Sequence, residues 1–160
     1  MALSEERAPF QVLVLPFLPV AGRGPGSSPD FVYALFRRSD AGYWQGVAGG
    51  GEGDESPMAA ARRELAEETG LGDDVELLPL DSRTTIPVPG ITGSLLFGPD
   101  LLVVPEHAFG ARCVSRELRL SGEHSECGWF RYDAAQRALH WDSNKNALWE
   151  LDHRLRRASG

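Results

Sequence analysis

Cysteine and clustered positive charge are both scarce in this chain of 160 residues. Its two cysteines, Cys113 and Cys127, form neither a Cys-x-x-Cys pair nor a Cys/His metal spacing. That excludes a zinc ribbon and a disulfide framework, and it fits two free thiols in a reducing cytoplasm. No run of Lys or Arg exceeds a pair, and the formal net charge is −7. A basic face for gripping nucleic-acid phosphates is therefore missing, and no nucleic-acid partner is expected. No apolar stretch approaches the roughly twenty residues of a membrane span. Met1–Pro9 mixes Glu and Arg without the apolar centre of a signal peptide. Repeats, low-complexity tracts and linkers are absent too. The expectation is one soluble, cytoplasmic domain over residues 1–160, with no membrane partner and no sequence signal of oligomeric state.

What is present is an ordinary apolar share, 42%, enough to bury a core. Gln11–Leu18 reads as a strand, with Pro16 implying an edge position or a bulge. Ala21–Asp30 is a Gly/Pro/Ser loop, and Phe31–Arg37 a second strand closing a hairpin. Tyr43–Ala48 is a short extended piece leading into a glycine-rich turn. Ser56, Pro57 and Gly70 bracket a run of strong helix formers, MAAARRELAEET. Val75–Leu80, Arg83–Ile86, Asp100–Val104 and Cys127–Tyr132 are further strand candidates, while Pro87–Glu117 gives no clear pattern. Asp133–Leu139 reads as a short helix. A last helix, capped by Asp142 or Ser143, repeats Ala147, Leu148, Leu151 and Leu155 at helical spacing. Strands, a central helix and a closing helix describe an α/β fold with a mixed sheet flanked by helices.

The helix over Ser56–Thr69 concentrates the chemistry. At about 100° per residue, Glu68 lies about 40° to one side of Glu64 and Glu67 about 60° to the other. Three carboxylates share one narrow face, beside an apolar arc of Met58, Ala61 and Leu65. Like charges at these spacings weaken an isolated helix, and a solvated acidic face is the plain alternative. Against it stands the glycine-rich lead-in, Gly49-Gly50-Gly51-Glu52-Gly53, which lets backbone approach a ligand closely. Oxygen ligands alone suit Mg²⁺ or Mn²⁺ rather than zinc. A bridging cation would also reconcile an acidic protein with a phosphorylated substrate.

Gly49, Glu55, Arg63, Glu64, Leu65, Glu67, Glu68, Gly70 and Leu71 occupy every specified position of the Nudix box, and the chain resembles that hydrolase family. The resemblance implies an α/β/α sandwich around a mixed sheet. It implies Glu64 and Glu68 as principal metal ligands, and Glu67 as a further ligand or a partner of coordinated water. Arg63 and Glu55 would tie the helix to its loop, and the Gly49 backbone would sit close to substrate. Divalent ions neutralise phosphate charge and activate water; the general base is left between Glu67, with Glu64 also placed in the catalytic set, and a carboxylate outside the box. For that outside carboxylate, Glu123-His124-Ser125-Glu126-Cys127-Gly128-Trp129 resembles the family's EH-x-E-x-x-W element. It implies Glu123 as a metal ligand, with Glu126 in reserve and His124 as a hydrogen-bonded structural residue.

The flanks bear on substrate. Tyr43–Gly50, Arg37-Arg38 and Trp141–Leu148 resemble segments of the dihydroneopterin triphosphate pyrophosphatases, also called dATP pyrophosphohydrolases. That likeness implies Arg37 on phosphates, Asn144 on the base or pterin, and Arg7 near the substrate, while Trp44 reads as packing. The implied reaction is hydrolysis of a nucleoside or pterin triphosphate with release of pyrophosphate. ADP-ribose or dinucleoside polyphosphate hydrolysis, and a non-catalytic nucleotide-binding module, are the alternatives; a module of that kind would be expected to lose box carboxylates, and all of them are present.

Overall fold

The computed structural model describes residues 7–90 and 97–160. In chain order the elements are β1 (Arg7–Val20), β2 (Asp30–Arg38), β3 (Trp44–Gln45), β4 (Val47–Glu52), α1 (Pro57–Thr69) and β5 (Glu76–Pro87), then β6 (Val103–Arg112), β7 (His124–Arg131), α2 (Tyr132–Ala138) and α3 (Asp142–Ser159). The strands form one sheet along the path β3-β2-β1-β6-β5, with β4 paired to β1 and β7 to β2. β1 and β6 run parallel and the other pairs antiparallel, so the sheet is mixed.

Alternation along the strands gives the sheet two apolar faces. Leu13, Leu15, Phe17, Tyr33 and Leu35 point one way and pack on Ala147, Leu148, Leu151 and Leu155 of α3. Val12, Val14, Ala34 and Phe36 point the other way and pack on Ala60, Ala61 and Leu65 of α1. This is the α/β/α sandwich. Full burial of a Leu side chain stabilises the fold by about 1.5–3 kcal/mol, and both helices are held on the sheet mainly this way. Polar contacts set the angle of α3: the Tyr33 hydroxyl donates to Asp152 at 2.7 Å, and Arg156 closes the same carboxylate at 2.8 Å. No described helix is long and apolar enough to cross a membrane.

Helix α1 starts and stops where its sequence directs. The Ser56 hydroxyl accepts from Ala59 N at 3.1 Å, Pro57 opens the first turn, and Gly70 ends it at φ 76° with its N–H on Ala66 O.

Four expectations are corrected. β1 lies inside the sheet, so Pro16 is not at an edge, and the register of β1 shifts between Arg7 and Gln11 rather than at Pro16. On one side β1 pairs with β4 as far as Val14 and with β2 from Phe17 onward. Pro16 falls in the gap between the two partners, where its missing N–H breaks no ladder bond on that side. Second, Gly49, Gly50 and Gly51 are not a turn but part of β4, and the loop is confined to residues 53–56. Third, Val75–Leu80 and Arg83–Ile86 are one strand, β5, with a bulge between Pro79 and Arg83. Fourth, the strand expected at Asp100–Val104 begins at Val103 and runs to Arg112. Its PEHAFGAR stretch alternates poorly because residues 108–111 are buried on both faces of a central strand. Residues 91–96 of the unpatterned Pro87–Glu117 span lie outside the described residues.

Candidate active site

The acidic face of α1 is split by depth. Glu64 and Glu68 are buried, at 9% and 4% exposure, whereas the Glu67 side chain is 57% exposed. Strand β4 makes that burial possible. A Cβ on Gly49 would fall inside the carboxyl group of Glu64, so the helix can bring its glutamate onto the strand only against glycine. Glu123 reaches the same place from the turn before β7, its backbone carbonyl held by Ser39 N at 3.0 Å.

Desolvation by burial is the largest influence on both deep glutamates and raises the carboxyl pKa of each. For Glu68 the charges of Glu64 and Glu123 add to it, and its pKa is pushed up to about 9. Arg63 works the other way on Glu64. Glu68 Oε2 is buried without a hydrogen-bond partner. Such an atom is costly unless something compensates it. Among the described residues, no three His, Cys, Asp or Glu side chains form a ready-made metal cage. The orphaned Glu68 oxygen, the glycine cradle at Gly49 and an all-oxygen donor set nevertheless fit a hard divalent cation such as Mg²⁺ or Mn²⁺.

His124 corrects an expectation. Its ring is buried against Phe36, and neither ring nitrogen has a hydrogen-bond partner. Nδ1 stands 3.6 Å from Glu68 Oε2, and burial lowers its pKa. A bulge between Arg37 and Arg38 explains why the neighbouring Glu126 is elsewhere: His124 pairs with Arg38, and Glu126 with Arg37, on the opposite face.

Arg63 is the clasp of the site. Its guanidinium donates to Glu55 at 2.9 and 3.1 Å, to Glu64 at 3.0 Å, to Glu67 at 3.4 Å and to Gly50 O at 2.8 Å. Glu55 in turn accepts from Glu52 N at 2.8 Å, and the Arg63 hydrogen bonds hold its pKa down. One rigid fork thereby ties the helix, the loop and β4 together.

The residues expected at the substrate are not all on the carboxylate side. Arg37 faces away from it, donating to Gly42 O at 2.9 Å and pairing with Glu126 at 2.9 Å. Arg38 is the member of the pair on the carboxylate face; it is clamped to Asp40 and its charge acts on Glu68 and Glu123. Strand alternation from the apolar Phe36 was the sequence signal for Arg38. Arg7 lies against Gly50, where a Cβ would meet its guanidinium. Trp44 packs edge-on against Phe130. Asn144 is buried, and its Oδ1 accepts from Gly46 N at 3.0 Å, joining α3 to the β3–β4 junction. Asn144→Ala is therefore expected to cost about 1–3 kcal/mol of stability by orphaning that N–H. Thermal unfolding checks it, and an unchanged midpoint would count against the tie.

A sandwich of helices around a mixed sheet, with buried glutamates facing a glycine strand, defines a hydrolase class suited to phosphate chemistry. A model of the NUDIX domain matches residues 30–150, and the chain belongs to the Nudix family. It is a hydrolase acting on pyrophosphate bonds. It is similar to a putative NUDIX hydrolase structure from Listeria monocytogenes, with 38% identity, TM-score 0.80 and coverage of 95% of this chain and 97% of that one. The E. coli dihydroneopterin triphosphate pyrophosphohydrolase shares the fold at 20% identity and TM-score 0.69, covering 94% and 99%. So does a C. elegans Ap4A hydrolase, at 16% identity, TM-score 0.69 and the same coverages. A curated relative described as an octanoyltransferase of Myxococcus xanthus is 38% identical over 112 residues, which is 69% of this chain and spans only 28% of that protein's length.

Proposed function

We propose that the protein hydrolyses a phosphoanhydride of a small nucleoside or pterin triphosphate, of the dATP or dihydroneopterin triphosphate type, and releases pyrophosphate. The observation that carries the reading is the buried Glu64–Glu68 pair, joined by the exposed Glu123 at its mouth, with its orphaned Glu68 oxygen. Those three side chains would hold Mg²⁺ or Mn²⁺, with Glu67 as a partner of the coordinated water. When bound, such an ion offsets phosphate charge, polarises a phosphate oxygen and acidifies water.

The chain's own groups do the rest. Arg63 fixes the orientation of Glu64 and reaches Glu67. Glu67 is exposed at the rim and can accept the proton of the attacking water. Arg7, beside Gly50, is placed to meet a phosphate, and the bare backbone of Gly49 lets the Glu64 carboxyl lie against β4. Arg37 and Asn144 are occupied by partners within the protein, which suits them to holding the site's walls. Free nucleotides and the two free thiols Cys113 and Cys127 suit a cytoplasmic setting.

A product-resolved screen with Mg²⁺ and Mn²⁺ tests the reading. Pyrophosphate from a nucleoside triphosphate or from dihydroneopterin triphosphate is the expected result. AMP and ribose 5-phosphate from ADP-ribose, cleavage of dinucleoside polyphosphates alone, or no divalent-dependent hydrolysis would sink it. Glu67→Gln is expected to lower kcat about 10²–10⁴-fold with cation affinity near that of the parent, the range for loss of a general base. Weaker cation binding instead would move Glu67 into the ligand set.

A further inference from the structure

On the side of the sheet opposite α1 lies a recess of about 130 Å³, open to solvent on one side. Leu13 and Ala108 line its apolar part, Thr84 belongs to β5, and Ser143 and Asn146 come from the first turn of α3. The remaining lining residue of interest is Glu106. It is 93% buried by its 7% exposure, and nothing in the carboxylate cluster uses it.

A carboxyl is a poor choice for a packing position, because burying it is costly unless donors meet it. Among the described residues, no Arg or Lys forms an ion pair with Glu106. Burial pushes its pKa up to about 7, and a hydrogen bond from Ser143 acts in the opposite direction. The recess is close in size to a cavity of about 150 Å³ that takes a benzene ring. It has room for the leading ring of a planar heterocycle, with the remainder at the open mouth.

The recess is also connected to the carboxylate site through neighbouring residues. Glu106 stands beside Gln11 in the β1–β6 register, and Gln11 is opposite Gly50 in the β1–β4 register. A Cβ on Gly50 would meet both Arg7 and Gln11, and the next glycine, Gly49, abuts Glu64 from the other face. The path from recess to buried glutamates therefore crosses β4 only where that strand has no side chains.

We infer that Glu106 is a specificity-determining residue, whose carboxylate accepts the paired donors of a 2-amino-4-oxo ring, the ring N–H and adjacent amine shared by guanine and pterin. An ionised carboxylate has two acceptor oxygens and no donor, so this edge satisfies both oxygens at once. The adenine edge offers one donor and one acceptor, and it leaves one oxygen facing a lone pair. The inference rests on the proposed triphosphate reading and narrows it: the heterocycle occupies the α3 side of the sheet while the phosphates reach over β4.

Equilibrium binding of dGMP, dIMP, dAMP and neopterin to the full chain, without divalent cation, tests the assignment apart from hydrolysis. Either dGMP or neopterin, whichever is the better source of the ring, is expected to bind at least about tenfold more tightly than dAMP. Removing the amine should weaken dIMP relative to dGMP by about the same factor. That ligand-side comparison holds even where a variant folds poorly. Glu106→Gln, which presents one donor and one acceptor, should weaken the guanine and pterin ligands about tenfold and leave dAMP unchanged or tighter. Equal loss for all ligands, no loss for any, a parent preference for dAMP, or dIMP equal to dGMP overturns the assignment. Hydrolysis of dATP alone would leave the triphosphate reading standing without it; ring preference without any hydrolysis would do the reverse.

Discussion

Glu68→Gln should abolish turnover and yet raise the melting temperature of the cation-free protein. The substitution keeps the shape of a side chain that is 4% exposed and removes a group crowded by Glu64 and Glu123. Relief of desolvation and like-charge repulsion is worth about 1–3 kcal/mol here, or roughly 2–12 °C for a chain of this size. With Glu68 as a principal ligand, as proposed, its loss would remove several kcal/mol of transition-state stabilisation, and turnover should fall about 10³-fold or more. Added Mn²⁺ should raise the melting temperature of the parent and leave the variant nearly unmoved. A variant that melts lower and still turns over would mean that Glu68 is a structural glutamate and the metal lies elsewhere.

Arg63→Met is expected to act in the opposite sense on the fold. The guanidinium is 20% exposed and answers Glu55 and Glu64, which are 21% and 12% exposed. Glu67 contributes little because it faces water. Removing the fork strands two half-buried carboxylates and Gly50 O, at a cost of about 2–4 kcal/mol, or roughly 4–16 °C. Arg63→Lys should recover less than half, since a single ammonium cannot span the loop, the helix and the strand together. Urea unfolding measures both variants. A methionine variant as stable as the parent would show that the clasp adds nothing to stability.

The parts of the architecture legible in the sequence are those written in local patterns. Helix α1 was bounded correctly because Ser56, Pro57 and Gly70 act within one turn of themselves. Helix α3 was visible because its apolar stripe repeats at 3.6 residues. The sheet was harder. Pro16 read as an edge or bulge residue because the switch of partners that accommodates it is made by β2 and β4, segments with no signature in the neighbourhood of the proline. β6 hid in an unpatterned span because a strand covered on both faces loses its alternation. The same limit applied at the site. Spacing placed Glu64, Glu67 and Glu68 on one face but could not say that Glu67 alone meets water. It favoured Arg37 over Arg38, since the bulge that sorts Glu126 from His124 is a property of two strands together. Glu106 gave no signal at all: a single glutamate in an apolar strand acquires meaning only when Leu13, Thr84 and Ser143 close around it.

The glycines of β4 carry a consequence beyond close approach. Gly49, Gly50 and Gly51 are not among the glycines with positive φ, so their backbone is one that alanine could adopt without strain. What forbids alanine is occupancy on both sides: Glu64 and Phe10 on one, Arg7 and Gln11 on the other. The strand is thus a septum one backbone thick between two compartments. Any side chain added to it must invade one of them, so tolerance to substitution here is set by the volume of its neighbours and not by the freedom of the chain.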